Sequence, residues 1–338
     1  MTEVDNPIRV GIVGSGAISQ IVHLPILSER KDVDVVAMSD ADAHKAETLS
    51  RRLSVPLVMD TDDLIAFDEL DAVVLCTPNN LHEELAIAAL EAGKHVLVER
   101  PIAVTSAGAA RVLDVAERTG RVLMVGLPHR YRPEVIALRS FVAGGELGDL
   151  YAVRGSWLVR PVPSSRSPWR SDRAIAGGGA LIDLGIPGLD LCMWIVGFPE
   201  IKRVSCVLNG PEGGVESAAT VMAETRGGIA LTFEVSDRLF AGEDRFYVRV
   251  MGSQGSGSLP PLDVYKQVGG RPMEVTPRQP KPRGGENSYM NAYRRLLDDF
   301  VRCARGLGDP VLPWEQVKLM ALVEAAYSAA KSRKEVEL

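Results

Sequence analysis

The first third of the chain alternates short apolar runs with longer stretches in which apolar residues recur at helical spacing. The apolar runs cover residues 8–13, 33–38, 70–76, 95–99 and 122–126. Short continuous apolar runs are typical of strands that are buried on both faces of a parallel sheet. The helical stretches lie between them, at 43–53, 81–92 and 107–119. Gly93 and Gly120 stand where helix ends are expected. This alternation predicts an α/β domain with a doubly wound parallel sheet over residues 1–127.

A different pattern begins after Gly126. Strand-like segments cover residues 151–159, 203–209, 217–224, 228–235 and 245–251, and helical spacing recurs at 133–143, 181–196, 290–305 and 314–331. Arg226-Gly227-Gly228 separates two of the strands as a hairpin turn would. Residues 252–285 are rich in Gly and Pro and have few periodic apolar positions, so we expect an extended surface loop there. Residues 128–338 are therefore predicted to form an α+β domain with a large, mostly antiparallel sheet.

The most informative local motif follows the first apolar run. Gly14-Ser15-Gly16-Ala17-Ile18-Ser19 has the glycine spacing of a phosphate-binding turn between a strand and a helix. Asp40 ends the second apolar run, at the distance where an acid accepts hydrogen bonds from the adenosine ribose. A carboxylate repels a 2′-phosphate, and neither Arg nor Lys adjoins Asp40 in the sequence. The motif therefore predicts that NAD(H) is bound in preference to NADP(H), with Gly14, Ser15, Gly16, Ala17, Ile18 and Asp40 in contact with the cofactor.

Composition restricts the other possibilities. The 338 residues carry a formal net charge of −6, which gives no basic field for nucleic acid. The apolar runs are too short to span a membrane, and the first residues lack the pattern of a secretory signal, so a cytoplasmic protein is expected. The cysteines, Cys76, Cys192, Cys206 and Cys303, have no metal-type spacing and are expected to be free thiols. No metal site is predicted.

Four separated motifs resemble the Gfo/Idh/MocA family of nicotinamide-dependent oxidoreductases. They are 11–18 (GIVGSGAI), 76–82 (CTPNNLH), 92–101 (AGKHVLVERP) and 177–185 (GGGALIDLG). The resemblance runs from about Ile8 to Lys331. It implies a Rossmann domain followed by an open-faced α/β domain whose sheet often forms an oligomer interface, so a homo-dimer or homo-tetramer is expected. Known members mostly oxidise or reduce sugars, polyols and related hydroxy compounds.

The resemblance also implies functional residues. Thr77, Pro78, Asn79, His82 and Glu99 match positions near the cofactor, and the first three follow a strand at the sheet edge where open α/β sheets bind ligands. His129 and Tyr131 match a segment that borders the active site. Trp169 and Arg170 belong to an Arg/Ser/Pro-rich loop, 160–173, which could close over a substrate and bind an anionic group.

Two departures fall where the family keeps its proton chemistry. The family usually reads Glu-Lys-Pro where this chain has Glu99-Arg100-Pro101, and the His of its D-x-G-x-H-x-x-D motif is Pro187 here. A guanidinium stays charged and cannot act as a base, and proline has no side-chain proton. Arg100 could still orient a hydroxyl. Asp183 matches the acid that the family retains, and it could act as the base or simply pair with an arginine.

Three functions follow from these observations. The first is an NAD-dependent oxidoreductase that acts on a sugar or polyol, with Arg100 and Asp183 as catalytic residues and Pro187 in the pocket wall. The second is a catalytically silent protein that binds NAD(H) or a sugar, because both proton-handling residues are replaced. The third is an enzyme that retains NAD through a redox-neutral reaction. Arg100, Arg170 and Arg173 suggest that the substrate carries a carboxylate or phosphate.

Overall fold

A computed structural model describes residues 6–161, 168–279 and 287–338. The chain divides into two compact units. The first comprises the chain up to Pro128 together with Asn287–Trp314, and the second comprises His129–Glu286 and Glu315–Leu338. The helix near residue 290 thus groups with the first unit, whereas the boundary expected at residue 127 assigns it to the second domain.

The first unit contains a six-stranded parallel sheet. Its strands are β1 (Ile8–Val13), β2 (Val33–Ser39), β3 (Leu57–Val58), β4 (Ala72–Leu75), β5 (His95–Glu99) and β6 (Leu123–Gly126). Their order is β3-β2-β1-β4-β5-β6. The order reverses direction between β1 and β4, which is where doubly wound sheets bind their ligands. The predicted Rossmann sheet is confirmed.

Five helices lie in this part of the first unit: α1 (Leu24–Ser28), α2 (Ala43–Leu53), α3 (Thr61–Ala66), α4 (His82–Glu91) and α5 (Ser106–Thr119). Two of them, α2 and α5, begin at a side-chain cap. The Asp42 side chain accepts a hydrogen bond from Lys45 N at the start of α2, and Thr105 does the same for Gly108 N in α5. Gly120 ends α5 with φ of 64°, a left-handed conformation that glycine adopts without strain.

The second unit is built on a nine-stranded sheet. The strands are β7 (Leu150–Leu158), β8 (Ile201–Asn209), β9 (Ala218–Thr225), β10 (Ala230–Ser236), β11 (Arg245–Gly252), β12 (Gly255–Leu259), β13 (Asp263–Val268), β14 (Arg271–Glu274) and β15 (Val336–Glu337). Their order is β14-β13-β12-β11-β7-β10-β9-β8-β15. The described pairs are antiparallel except for β7 and β10, which run parallel. The predicted mostly antiparallel sheet is confirmed, as is the hairpin turn between β9 and β10.

The prediction of a surface loop over residues 252–285 is wrong for the described part of this segment, which forms β12, β13 and β14. Gly255 and Gly257 lie in β12, where close packing leaves no room for a side chain at either position. A Cβ on Gly255 would lie 2.5 Å from the Tyr265 carbonyl oxygen, and one on Gly257 would overlap the Leu138 side chain. Glycine here marks close packing rather than a turn. Residues 280–285 of the expected loop lie outside the described residues.

The remaining helices of the second unit pack around this sheet. They are α6 (Pro133–Ala143), α7 (Arg173–Ala176), α8 (Ile186–Ile195) and, near the end of the chain, α10 (Glu315–Ser332). The long helix α9 (Ser288–Ala304) belongs to the first unit. One segment, Arg173–Ile195, is long and apolar enough to cross a membrane, but 78% of its most apolar window is buried inside the protein. It is the core segment of the second unit, in which a Cβ on Gly155 of β7 would lie 2.7 Å from Cys192 Sγ of α8.

Candidate functional site

The glycine turn lies between β1 and the helical turn that precedes α1. Gly14 has φ of 94°, and a Cβ there would lie 2.6 Å from the Cys76 carbonyl oxygen after β4. Glycine is therefore required at this position by the turn and by the neighbouring strand. A Cβ on Gly16 would find its nearest neighbour, the same carbonyl oxygen, only at 4.0 Å. Open space thus adjoins Gly16, where a pyrophosphate could approach the backbone. Ala17 and Ile18 lead directly into the helical turn Ser19–His23.

Asp40 is held at the end of β2 by the same turn. The Ser15 amide and hydroxyl both donate to Asp40 Oδ2, each at 2.6 Å, and the Asp42 amide donates to Oδ1 at 3.0 Å. Lys45 Nζ lies 3.3 Å from Oδ2. Burial opposes ionisation, but these hydrogen bonds and the Lys45 charge lower the pKa of Asp40 below its ordinary value. Ser15, which is expected from the sequence to contact the cofactor, therefore also fixes the carboxylate that is expected to bind the ribose.

Lys45 corrects one part of the sequence argument. No cation adjoins Asp40 in the sequence, but the first turn of α2 brings the Lys45 ammonium next to the carboxylate. Since this ammonium is paired with Asp40, the pair presents no net positive charge to a 2′-phosphate. The charges at Asp40 and Lys45 therefore still favour NAD(H) over NADP(H).

The loop after β4 is tied to the loop after β5 by a buried histidine. His82 Nδ1 lies 2.6 Å from the Pro101 carbonyl oxygen, and Nε2 lies 3.0 Å from the Thr77 carbonyl oxygen. Burial lowers the pKa of His82, although both carbonyl groups favour its protonated form. A neutral imidazole carries one N–H, so His82 donates to one of these two carbonyl oxygens at a time. His82 is thus a clip between two loops of the sheet edge, while Pro78 and Asn79 begin the short turn before α4.

The groups around this edge suit a dinucleotide. Within the described part of the chain, Ser19 Oγ and Thr77 Oγ1 are buried and have no hydrogen-bond partner. Buried hydroxyl groups are normally hydrogen bonded, so two unsatisfied ones beside the glycine turn and the β4 loop indicate a polar ligand. Together with the space at Gly16 and the carboxylate of Asp40, they fit the phosphates and ribose of NAD.

Glu99 ends β5 inside a compact hydrogen-bonded cluster. His23 Nε2 donates to Glu99 Oε1 at 2.8 Å, and the Tyr293 hydroxyl of α9 donates to the same oxygen at 3.0 Å. A Cβ on Gly126 of β6 would lie 2.7 Å from the Glu99 carboxyl carbon, so the neighbouring strand leaves room for this side chain only through a glycine. Burial opposes ionisation of Glu99, but the contacts to His23 outweigh it and lower the pKa. Arg100 follows directly and is half-buried.

In the second unit, Asp183 lies in the π-helical turn Leu181–Gly185 before α8. Arg170 Nη1 lies 3.4 Å from Asp183 Oδ1, and the Arg170 guanidinium also lies 4.4 Å from the centre of the Trp169 ring. Asp183 is therefore paired with an arginine, which is one of the two roles expected for it. Residues 162–167 of the loop expected to close over the substrate lie outside the described residues.

A buried glutamate fixes the glycine-rich segment that leads to Asp183. Glu216 Oε1 accepts hydrogen bonds from the amides of Gly179 and Leu181 and from the Tyr327 hydroxyl, at 2.8, 3.0 and 2.8 Å. Arg173 lies 3.5 Å from the other carboxylate oxygen. This arrangement explains the glycine at position 179, where any side chain would overlap the backbone of Glu216.

The other residues of the Asp183 motif are structural. Pro187 is buried in the first turn of α8, which continues directly from the π-helical turn Leu181–Gly185. Asp190 is buried and accepts a hydrogen bond from Arg130 Nε at 2.8 Å and from Gln316 Nε2 at 3.1 Å. The pair Arg130–Asp190 thus anchors α8 to the start of this unit.

His129 belongs to an aromatic cluster at the end of the sheet. Its ring lies edge-on to Trp157, with centroids 5.0 Å apart, and it stacks on Phe246 at 6.3 Å. Trp157 and Phe246 are partners in the register of β7 and β11. Tyr131 is half-buried in the same short turn as His129. Aromatic faces of this kind suit the apolar side of a sugar ring.

Comparison with known proteins identifies the family. Residues 8–127 match the profile of the GFO/IDH/MocA oxidoreductase family, NAD-binding Rossmann fold, and residues 135–258 match the GFO/IDH/MocA C-terminal domain. The chain belongs to the GFO/IDH/MocA family. It is thus an oxidoreductase with an NAD-binding Rossmann domain, as the sequence motifs predicted.

Individual relatives extend over the whole chain. A D-glucoside 3-dehydrogenase of Escherichia coli (strain K12) is 30% identical, over 98% of this chain and 98% of its own. A dTDP-3,4-didehydro-2,6-dideoxy-alpha-D-glucose 3-reductase of Saccharopolyspora spinosa is 29% identical, over 96% of this chain and 98% of its own. The crystal structure of GenD2 from gentamicin A biosynthesis in complex with NAD superposes with a TM-score of 0.85 at 25% identity, covering 100% of this chain and 98% of that one.

Sequence reasoning missed the partners of this family member's Glu99. His23 lies in a short helical turn with no motif around it, and Tyr293 is 194 positions from Glu99 along the chain. The spacing of Tyr289 and Tyr293, one helical turn apart in α9, is the only sequence signal, and in an amphipathic helix such a pair is also expected from packing.

Proposed function

We propose that this protein is an NAD-dependent dehydrogenase that oxidises a secondary hydroxyl group of a neutral, glucoside-type sugar. The observation that carries the proposal is the NAD cradle, which combines Gly14, the open backbone at Gly16 and the fixed carboxylate of Asp40. The relatives that span the whole chain act on glucose-type rings, one as a 3-dehydrogenase and the other as a 3-reductase.

The charges in the second unit favour a neutral substrate. Arg170 and Arg173 suggest an anionic one from the sequence alone, but each is paired with a carboxylate, Asp183 and Glu216 respectively. An arginine that is already neutralised attracts an added carboxylate or phosphate only weakly. We therefore assign Arg170 to positioning Asp183, and we assign His129, Tyr131 and Trp169 to the wall that contacts the sugar.

Arg100 and Asp183 have distinct roles in this proposal. When bound, NAD accepts the hydride from the carbinol carbon. Arg100 donates hydrogen bonds to the reacting hydroxyl oxygen and stabilises its developing negative charge, since a guanidinium cannot take up the proton. The proton of the reacting hydroxyl passes to water, and Asp183 accepts a hydrogen bond from a neighbouring sugar hydroxyl. Thr77, Pro78, Asn79, His82 and Glu99 shape the cofactor-binding edge.

The assembly and the location follow from weaker observations. The exposed sheet face of the second unit supports a homo-dimer or homo-tetramer. The four cysteines are free thiols, which is typical of a reducing compartment and supports the cytoplasm. We propose a dinucleotide-binding domain over residues 1–127 and a substrate-binding domain over residues 128–338, with α9 of the second domain grouping with the first unit.

The first test is cofactor binding. The purified protein is unfolded, any released nucleotide is identified by mass spectrometry, and the apo form is titrated with NADH and NADPH. We expect NADH to bind more tightly than NADPH. Asp40→Ala should weaken NADH binding about tenfold or more, and so narrow the difference in affinity between the two nucleotides. Asp42→Ala, which removes only the cap of α2, serves as the matched control. Failure to bind either nucleotide would refute the proposal.

The second test is turnover. Methyl α- and β-D-glucopyranoside, levoglucosan and myo-inositol are offered with NAD⁺ beside glucose 6-phosphate and gluconate, and NADH is followed by its absorbance. We expect a neutral sugar to give the highest kcat/KM. Bound NAD with no NADH from any sugar, but with chemical change of a sugar, would favour the redox-neutral alternative.

A further inference from the structure

The carboxylate of Asp40 already accepts several hydrogen bonds from this chain. Oδ2 accepts from the Ser15 amide and the Ser15 hydroxyl, each at 2.6 Å, and from Lys45 Nζ at 3.3 Å. Oδ1 accepts from the Asp42 amide at 3.0 Å. A carboxylate has about four acceptor positions, divided between its two oxygens. Asp40 can therefore accept one ribose hydroxyl at Oδ1, but a second hydroxyl must displace a donor from Oδ2.

Lys45 is the donor that leaves Asp40 most easily. Its contact is the longest of the four, and its side chain is 42% exposed, whereas that of Asp40 is 14% exposed. The Ser15 amide belongs to the glycine turn and cannot leave without a movement of the backbone. Lys45 instead carries its ammonium on a flexible four-carbon stem. This ammonium is thus a mobile positive charge beside the carboxylate that is expected to bind the ribose.

The contact of Lys45 with Asp40 has little structural purpose. In the part of the chain that the structure describes, Asp40 is the only hydrogen-bond or ion-pair partner of Lys45 Nζ. The start of α2 does not depend on the ammonium, because Asp42 caps this helix through the Lys45 amide. A partly exposed ion pair also contributes little to stability. The position of the ammonium therefore indicates a role in cofactor binding.

The charges define that role. NADP(H) carries a phosphate in place of the 2′-hydroxyl, so it offers no hydroxyl proton to Asp40 there, and the carboxylate repels it. A lysine ammonium has three donors and pairs with phosphate as a point charge. Lys45 thus opposes the repulsion by Asp40. The cradle should therefore disfavour NADP(H) less than the carboxylate alone would.

We propose that Lys45 is a second determinant of cofactor choice, which turns from Asp40 to the 2′-phosphate when NADP(H) binds. Asp40 sets the preference for NAD(H), and Lys45 sets how strictly NADP(H) is rejected. The inference rests on the NAD cradle of the proposed function and adds to it a limited capacity for NADP(H).

The experiment titrates the apo protein with NADH and NADPH, so it requires no substrate. Lys45→Met removes the ammonium but keeps a long side chain. We expect it to lower the affinity for NADPH about fivefold more than the affinity for NADH. The matched control is Arg51→Gln, which removes the same charge from α2 at an exposed position where Arg51 Nε donates to the Glu47 carbonyl oxygen at 3.2 Å. This control should change both affinities alike.

A second variant removes the opposing charge. Asp40→Asn keeps an oxygen that can accept from the Ser15 amide, so it preserves the turn better than Asp40→Ala does, and thermal unfolding verifies that the variant is folded. We expect Asp40→Asn to bind NADPH about tenfold more tightly than the wild type does. Adding Lys45→Met should abolish this gain. High salt should reduce the gain, because it screens charges at a partly exposed site.

The outcomes distinguish this inference from the proposed function. If NADH binds but Lys45→Met leaves the ratio of NADPH to NADH affinity unchanged in the Asp40→Asn background, the inference is overturned and the NAD cradle stands. A wild-type protein that binds neither nucleotide would overturn both.

Discussion

At the scale of single residues, the chain has Arg100 and Pro187 where the family motifs that it resembles have lysine and histidine, and both residues still contribute to the structure. Arg100 keeps a permanent positive charge beside the buried end of β5, and Pro187 starts α8 from a buried position. Neither can carry a proton. Asp183 is the remaining half-exposed acid of these motifs, and a single substitution can test its role.

Asp183→Asn should change substrate binding rather than the chemical step. It removes the charge that pairs with Arg170 at 3.4 Å, in a half-exposed setting where such a pair contributes roughly 1 kcal/mol. We expect KM for the neutral sugar to rise roughly fivefold while kcat stays within about twofold. Steady-state kinetics measure both effects. Asp114→Asn, a change at an exposed position on α5, is the control. A drop in kcat by about two orders of magnitude would instead make Asp183 the base.

Glu99→Gln should destabilise the protein in a manner that depends on pH. The pKa of Glu99 lies below its ordinary value of 4.5 in the folded chain, so the carboxylate contributes stability that is fully present above that value. This contribution is lost as the pH falls through the lowered pKa. We expect the variant to be less stable by roughly 1–3 kcal/mol at pH 7, and this difference to shrink below about pH 4.5. Urea unfolding at several pH values measures it. Glu84→Gln, on the exposed side of α4, should show no such trend.

At the scale of elements, hydrophobic periodicity was sufficient to predict helices and strands where apolar and polar side chains alternate with a clear period. It located β1, β2, β4, β5 and β6 of the parallel sheet and the long strands β7 to β11 of the second unit, but it predicted neither β3 nor the strand order. It failed at β12. Gly255 and Gly257 are typical of a loop in the sequence, but in the structure they allow Leu138 and the neighbouring strand to pack closely. The glycine turn was predictable since its residues are consecutive. The contacts of Glu99 with His23 and Tyr293 were not predictable, because the three residues meet only through the fold.

Two glycines of one turn should respond differently to the same substitution. Gly14→Ala forces a side chain into a left-handed conformation and within 2.6 Å of a carbonyl oxygen, so we expect a loss of roughly 2 kcal/mol or more of unfolding free energy. Gly16→Ala meets nothing closer than 4.0 Å and should fold normally. We nevertheless expect it to weaken NADH binding about tenfold, since the backbone must approach the pyrophosphate. Thermal unfolding and NADH titration compare the two. Unchanged NADH affinity in Gly16→Ala would place the phosphates elsewhere.

At the scale of the whole molecule, the chain passes three times from one unit to the other. It leaves the first after Pro128, returns for α9 and leaves again at Trp314. Tyr293 therefore reaches Glu99 from a segment far along the sequence, and this contact forms only when α9 completes the first unit. A truncated chain that ends before α9 lacks Tyr293, although it contains Gly14, Gly16 and Asp40 of the NAD cradle.

The sheet of the second unit gives the last prediction, which concerns assembly. Val207 of β8 and Met222 of β9 are 71% and 55% exposed, and they belong to neighbouring strands in a sheet that also exposes Tyr151, Tyr247 and Tyr265. A set of apolar and aromatic side chains of this kind is typical of an interface between protein subunits. We expect light scattering to give the mass of a dimer or tetramer, and the double change Val207→Asp with Met222→Asp to shift it toward the 36.5 kDa monomer. Val311→Asp, an equally exposed apolar position of the first unit, should leave the mass unchanged. Because the NAD cradle lies wholly in the first unit, the monomeric variant should still bind NADH, and loss of binding on dissociation would show that the cofactor site depends on the partner subunit.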